Sequence, residues 1–226
     1  MELSVTGIIN EEIKQREDRK VTSWNCSKLG TCLTGVYLER LGAKADAEFD
    51  DRTLRVFSAG KMFEEWVVNL VKPHLEDGMN LAEQVRVEDK ALDVTGYADF
   101  VLEKGDDKLL YEVKSKNSRA FHYMDKKGEG ANYHHMMQTW LYLYNLNIPK
   151  GIILYISKDD LCTLEYPVFL DDEDLKADVM RELDILNRAW ASKLPPPVPE
   201  WEKEDQWKGR YCRFHPQCLN QEKYLK

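Results

Sequence analysis

The stretch YADFVLEKGDDKLLYEVK, residues 97–114, decides the fold that we expect for this chain. Its two ends are strand-like apolar runs, and the charged segment between them contains the glycine of a turn, so the stretch predicts a β-hairpin. Alternate side chains of a strand share a face. We therefore expect Glu112 and Lys114 on one face of the second strand and Val113 on the opposite, apolar face.

Asp99, on the first strand of the hairpin, can join Glu112 if its side chain faces the same way. Two carboxylates, a backbone carbonyl such as that of Val113 and water form an oxygen ligand set that suits Mg²⁺ or Mn²⁺. Such a metal lowers the pKa of bound water, and Lys114 can orient the nucleophile or neutralise charge on a phosphate. The set predicts phosphodiester hydrolysis, although the pattern alone is weak because charged residues fill many exposed strands.

A helix is predicted before the hairpin, from Leu54 to about residue 74, with Pro73 ending the run. Glu64 shares an apolar stripe of this helix with Val67. A carboxylate on a buried side needs a partner, and a metal is one candidate. The alternative is a glutamate at the edge of the stripe that pairs with a lysine.

A second helix, predicted from about Asn132 to Leu146, carries Gln138 and Tyr142 four residues apart and therefore on one face. An amide and a phenol in this arrangement can contact phosphates and bases. The alternative is that Tyr142 is a half-buried core aromatic residue.

The remaining segments extend this α/β pattern. We expect helices at 27–42 and 171–191, strands at 151–157 and 162–170, a polar linker at 115–131, and an exposed helix or mobile arm at 10–20. With 226 residues and 43% hydrophobic content, one soluble domain is the expectation.

The formal net charge of -8 argues against a protein that coats nucleic acid through its overall charge. Residues 114–127 are nevertheless basic, and Lys116 and Arg119 adjoin the predicted carboxylate site. These residues predict a DNA path, with residues 121–123 stacking on unpaired bases; a solvated loop is the alternative. No apolar run reaches the roughly 18 residues of a membrane span, and no secretory signal is evident, so we expect a cytoplasmic protein.

Five cysteines in a reducing compartment argue against a disulfide framework. Cys26 and Cys32 lie near one end of the chain, and Cys212 and Cys218 lie near the other. These four thiols can join the two ends around an iron-sulfur cluster or a structural zinc ion. Cys162, inside a predicted strand, is expected to be a buried thiol.

Four motifs together resemble the series of the PD-(D/E)XK nuclease superfamily, in its RecB-like branch: Gly60-x3-Glu64, Gly96-Tyr97-Ala98-Asp99, Glu112-Val113-Lys114 and Gln138-x3-Tyr142. The chain is most similar to CRISPR-associated and phage RecB-like exonucleases, over about residues 28–218. The resemblance implies one nuclease domain, residues 1–226, with a restriction-endonuclease-like α/β core at about 50–192. In that core a mixed sheet is flanked by helices, and residues 20–45 and 193–226 form a cysteine-bearing lid.

By this resemblance Asp99 and Glu112 are metal ligands, Lys114 is the catalytic lysine, and Gln138 and Tyr142 support the site and contact DNA. Many family members place a histidine where Glu64 stands. The implied activity is exonuclease action on single-stranded DNA ends, with 5′ to 3′ polarity favoured. The alternatives are a restriction-type endonuclease and a non-catalytic DNA-binding or assembly subunit, with protein partners in recombination, replication or CRISPR adaptation.

The iron-sulfur members of this family usually supply one N-terminal cysteine and a C-terminal C-x2-C-x5-C set. Cys212-x5-Cys218 matches the end of that set and Cys32 matches the N-terminal ligand, but Gly209 stands where the first of the three cysteines is expected. The resemblance implies a 4Fe-4S cluster with Cys26 as the compensating ligand. Two alternatives are a zinc site completed by His215 and a cluster that has been lost.

Overall fold

The computed structural model describes residues 4–14, 21–45, 48–128, 130–198 and 212–214. Within them the chain forms one mixed sheet with helices on both faces, as the sequence predicted. The strands are β1 (Trp24–Asn25), β2 (Met79–Asp89), β3 (Val94–Lys104), β4 (Asp107–Lys116), β5 (Lys150–Ser157) and β6 (Thr163–Phe169). The helices are α1 (Val5–Lys14), α2 (Leu33–Leu41), α3 (Asp51–Val71), α4 (Ser118–Lys127), α5 (Tyr133–Leu146) and α6 (Glu173–Ser192), with short 3₁₀ turns at Cys26–Lys28 and Lys72–His74.

Strand β3 is the centre of the sheet because it pairs with three other strands. Antiparallel β2 runs along one edge of β3 over its whole length. On the other edge, antiparallel β4 pairs with residues 100–104, and the short parallel strand β1 pairs with residues 94–95. The segment 96–99 of β3 therefore lies in a gap between β1 and β4.

Beyond the gap, β4 pairs in parallel with β5, and β5 pairs antiparallel with β6. The parallel pair requires a crossover, which α4 and α5 supply. The segment 115–131 is therefore not the polar linker that we predicted. Asn117 caps α4 by accepting a hydrogen bond from the backbone N–H of Ala120. The linker was predicted from the polar and basic composition of the segment, which does not reveal this helix cap.

The two faces of the sheet bury different clusters. A small cluster lies under α3 and contains Val67, Val68, Phe100, Val113 and Ile156. The larger cluster lies on the other face, where α5 is buried over seven consecutive residues, 137–143, and packs against α6, which also contacts α2. Val113 thus occupies the apolar face predicted for it.

The N-terminal segment around β1 is held on the larger cluster by Trp24. The indole Nε1 of Trp24 donates to Asn187 Oδ1 at 2.6 Å, and its ring meets Trp190 edge-on. The Arg40 guanidinium lies 4.2 Å from the centre of the Trp24 ring and forms an ion pair with Asp93. Aromatic and cationic contacts thus join β1 to α2 and α6.

The fold agrees with some of the local predictions and differs from others. The helix predicted at 27–42 is confirmed at its C-terminal end, where Gly42 has the left-handed conformation of a C-cap, but it begins only at Leu33. The burial predicted for Cys162 is wrong, because it precedes β6 and its side chain is exposed. Strand β2 was not predicted, although Met79, Leu81, Val85 and Val87 occupy alternate positions; the polar residue Glu83 interrupts that series. Among the described residues no helix is long and apolar enough to cross a bilayer.

Candidate active site

The gap beside β3 brings the hairpin carboxylates together. The paired register of β3 and β4 stops at Phe100 and Tyr111, so the next residue of each strand, Asp99 and Glu112, falls where the ladder opens. There the Asp99 carboxylate accepts the backbone N–H of Val113 at 2.7 Å. A side chain thus replaces the missing strand partner, and Asp99 is fixed beside Glu112.

Glu112 is almost completely buried, with 1% of its surface exposed. Its Oε1 atom accepts hydrogen bonds from Lys114 Nζ at 2.6 Å and from Gln138 Nε2 at 2.7 Å. Within the described part of the chain, the other oxygen, Oε2, is buried without a hydrogen-bond partner. A buried carboxylate oxygen without a partner is costly and needs an explanation.

Helix α5 supplies the side chains that hold Glu112 from the other side. Gln138 and Tyr142 do share a face, and the Gln138 amide also donates to the Tyr142 hydroxyl at 3.0 Å. Tyr142 is fully buried, and burial raises the pKa of its phenol, with Glu112 adding to the effect. Tyr142 is therefore a neutral core residue, which is the alternative that the sequence left open, and it orients Gln138.

Helix α3 closes the opposite side of the site. Glu64 is half-buried while its neighbour Glu65 is exposed, as the stripe of α3 predicted. Glu64 and Asp99 line a cavity of about 340 Å³ together with Glu83 and Gln84 of β2. Sequence reasoning missed the two β2 residues because it did not assign that strand.

The charged groups of the site affect the pKa values of Glu64, Asp99 and Lys114. Burial raises the pKa of Asp99 well above its usual value, and repulsion from Glu112 and Glu64 raises it further. Burial also raises the pKa of Glu64. For Lys114, burial acts to lower the pKa, but the three carboxylates outweigh it and the net shift is upward, so this ammonium stays charged.

The predicted metal ligands Glu64, Asp99, Glu112 and Val113 therefore surround one region. As they stand in the described residues, no three His, Cys, Asp or Glu side chains approach closely enough to form a metal-binding group. Their role as ligands stays a prediction, and so does the use of the Val113 carbonyl.

The two predicted DNA-contacting basic residues lie at the start of the crossover. Lys116 is half-buried at the end of β4, with its Nζ 5.3 Å from the centre of the Tyr155 ring, and burial lowers its pKa. Arg119 is exposed on α4 and lines a second cavity, of about 470 Å³. Phe121 does not project for base stacking, because α4 buries it in the core.

The cysteines separate into two places. A Cβ atom at Gly35 would lie 3.9 Å from Cys212 Sγ and 4.0 Å from Cys32 Cβ, so these two cysteines are neighbours. Cys26 instead lies beside Gly96, fully buried, and burial raises the pKa of its thiol to about 12. Cys218, His215 and Gly209 lie outside the described residues, so the predicted lid and cluster are not tested.

Gly96 is needed because two elements, α5 and the 3₁₀ turn at Cys26–Lys28, pack directly against it. A Cβ atom there would lie 2.8 Å from Tyr142 Cε1 and 3.1 Å from Cys26 Cβ. Real Cβ atoms essentially never approach another atom as closely as 2.8 Å, a contact of 3.1 Å is unusually tight, and both neighbours are buried. Gly60, the glycine of the first motif, has open space around its Cβ position.

We expect Gly96→Ala to lower the free energy of unfolding by about 1–3 kcal/mol, because overpacking forces Tyr142 to shift. Gly60→Ala is the matched control, and it should stabilise α3 by about 0.5–1 kcal/mol because alanine favours a helix interior. Urea unfolding followed by circular dichroism measures both changes. Equal effects of the two substitutions would contradict the packing that we describe at Gly96.

Known proteins are similar to this chain in structure rather than in sequence. No protein-family model matches the chain, and no curated protein matches it. Among solved structures, it is similar to SSO0001, with a TM-score of 0.60, 19% identity and 94% of each chain covered. It is also similar to an alkaline exonuclease (LHK-Exo) from Laribacter hongkongensis. The comparison with the structure of that exonuclease in complex with dAMP gives a TM-score of 0.56 and 14% sequence identity, and it covers 76% of this chain and 90% of that one. The chain therefore has the mixed α/β fold found in solved exonuclease structures.

Proposed function

We propose that this protein is a metal-dependent deoxyribonuclease that hydrolyses phosphodiester bonds at DNA ends. The observation that carries the proposal is the set Asp99, Glu112, Lys114 and Gln138, gathered where β3 and β4 separate. Glu112 Oε2 is buried there without a hydrogen-bond partner among the described residues. The shared fold of exonuclease structures supports this choice of chemistry, although a fold by itself does not determine a function.

The donors at the gap suit a hard divalent cation. Mg²⁺ and Mn²⁺ prefer carboxylate and carbonyl oxygens, and Glu112 Oε2 and Asp99 offer such oxygens beside Val113. The neighbouring carboxylates Glu112 and Glu64 raise the pKa of Asp99 because they repel its negative charge, and a bound cation would relieve this repulsion. When bound, the cation would activate water and offset charge on the phosphate.

The protein's own residues have distinct roles in this proposal. Lys114 is a permanent cation that touches Glu112 and can stabilise the negative charge that develops on the phosphate. Gln138 fixes Glu112 through Oε1 and leaves Oε2 for a ligand. Glu64 approaches from α3 and completes the acidic lining.

The finer parts of the proposal concern the substrate. One related exonuclease structure contains dAMP, which supports a DNA end as the substrate class here. Lys116 and Arg119 provide positive charge beside the site for the sugar-phosphate backbone. Single-stranded ends and 5′ to 3′ polarity follow from the motif resemblance and are proposed on that ground.

The test uses end-labelled single-stranded DNA, end-labelled duplex and closed circular DNA, each with Mg²⁺, Mn²⁺ or EDTA. With a divalent cation we expect mononucleotides from the linear DNA, released faster from the single strand than from the duplex, together with intact circles; in EDTA we expect no products. Cleavage of closed circles would instead identify an endonuclease. A shift of the DNA on a native gel, without cleavage under any of these conditions, would identify a binding or assembly subunit and contradict the proposal.

For the cysteines we propose a bound metal, an iron-sulfur cluster or zinc, shared by the neighbours Cys32 and Cys212. Cys32→Ser is expected to reduce the iron or zinc content of the purified protein to less than about half, since losing one ligand weakens a metal site severely. Cys162→Ser is the control, because that thiol is exposed in another part of the fold. Elemental analysis and the visible spectrum measure the result, and wild-type protein without either metal would exclude the site.

A further inference from the structure

Strand β2 contains a backbone distortion at Gln84. Its φ is 47°, in the left-handed region that costs an ordinary residue about 1 kcal/mol or more. Four other non-glycine residues among those described have positive φ, and they lie in turns or at helix ends: Asp93, Asn147, Leu161 and Lys193. Gln84 alone among the five lies inside a strand.

The distortion lies directly opposite Asp99. The pairing of β2 with β3 includes Glu83 with Phe100 and Val85 with Ala98, and it omits Gln84 and Asp99 between them. Residues two apart on a strand normally share a face, yet Ala98 packs in the larger cluster and Phe100 in the cluster under α3. Both strands therefore rotate at this point, which frees the two side chains from the regular faces of the sheet.

The Gln84 side chain is exposed and lines the cavity that contains Glu64 and Asp99. The same cavity is lined by four carboxylates and one lysine, Lys61, so its net charge is negative and would repel a DNA phosphate. A neutral amide is a hydrogen-bond donor without negative charge, so Gln84 can approach a phosphate where the four carboxylates cannot. Strain that places a polar side chain next to a site is a frequent sign of function.

We infer that Gln84 is a DNA-contacting residue, which donates a hydrogen bond from its amide to a backbone phosphate of the strand being cleaved. The inference rests on the proposed nuclease function and adds a β2 residue to a site otherwise built from β3, β4, α3 and α5. A purely structural role is the competing explanation, in which the distortion exists to position Asp99 and the side chain does nothing.

Two substitutions separate these explanations. Gln84→Gly tolerates positive φ and removes the amide, so the fold should be at least as thermally stable as the wild type. If the amide binds phosphate, its kcat/KM on labelled DNA should fall about tenfold, mainly through KM, which is the effect of losing one hydrogen bond to a charged group. Gln84→Glu keeps the size but adds negative charge, and it should raise KM further, most strongly at low salt.

Leu161→Gly is the control for relief of strain, since Leu161 also has positive φ but lies in the turn before β6. It should leave KM unchanged. Wild-type KM in both Gln84→Gly and Gln84→Glu, with the wild type active, would overturn this inference alone. An inactive wild type would overturn the nuclease proposal and this inference with it.

Discussion

Lys114→Ala is expected to reduce DNA cleavage by about a hundredfold to a thousandfold with Mg²⁺ or Mn²⁺, the scale seen when a key electrostatic group is removed from an active site. Lys114 is the cation that contacts Glu112, and its pKa is held high by three surrounding carboxylates. Without it, nothing at that position offsets the charge on the reacting phosphate. DNA binding should change little, because many other contacts position the backbone.

Lys108→Ala is the matched control for this experiment. Lys108 lies on the same strand, but its side chain is exposed and pairs with Glu103 near the hairpin turn. Exposed pairs contribute little to stability, so this variant should cleave normally and fold normally. Single-turnover cleavage of end-labelled DNA, with a filter-binding assay in parallel, gives both quantities. Cleavage by Lys114→Ala at the wild-type rate would eliminate this lysine from the mechanism.

Asp99→Asn is expected to have opposite effects on activity and on stability. An asparagine oxygen can still accept the Val113 N–H, so the hydrogen bond at the gap persists. The substitution removes a buried charge that Glu112 and Glu64 repel, and in EDTA the melting temperature should rise by roughly 2 °C or more. Cleavage should nevertheless fall at least about a thousandfold, because a proposed metal ligand is lost.

The same variant tests the cation directly, without an activity assay. Ligand that binds the folded state raises its stability by mass action, about 2.7 kcal/mol at one hundred times the dissociation constant. Mn²⁺ should therefore raise the melting temperature of the wild type but not that of Asp99→Asn. Asp107→Asn, at the exposed start of β4, should respond like the wild type. An equal Mn²⁺ response in all three proteins would place the cation elsewhere.

The sequence was most informative where the candidate site residues lie in segments with a clear strand or helix periodicity. The hairpin of β3 and β4 has strand periodicity on both sides of a turn, so the faces of Glu112 and Val113 could be predicted. Gln138 and Tyr142 could be placed on one face because helical spacing is regular. In these regions local pattern and tertiary packing agree.

The parts that escaped prediction depend on contacts between distant segments. Strand β2 has apolar residues at alternate positions on either side of Glu83, but the change of face at Gln84, which places Leu81 and Val87 in different clusters, arises from its pairing with β3. The closeness of Cys32 and Cys212 arises from packing around Gly35. Cys162 was misplaced because the boundary of β6 was taken one residue too early. These errors share a cause, since tertiary pairing sets strand limits more than the sequence does.

The two-residue strand β1 has a practical consequence for handling this protein. It covers the free edge of β3 next to the gap, and Trp24 anchors it to α6. A chain shortened to begin after Asn25 would uncover unpaired backbone groups and the side of the core that Trp24 fills. Uncovered strand edges recruit other chains. Such a truncation should therefore produce a protein that self-associates rather than a smaller monomeric one.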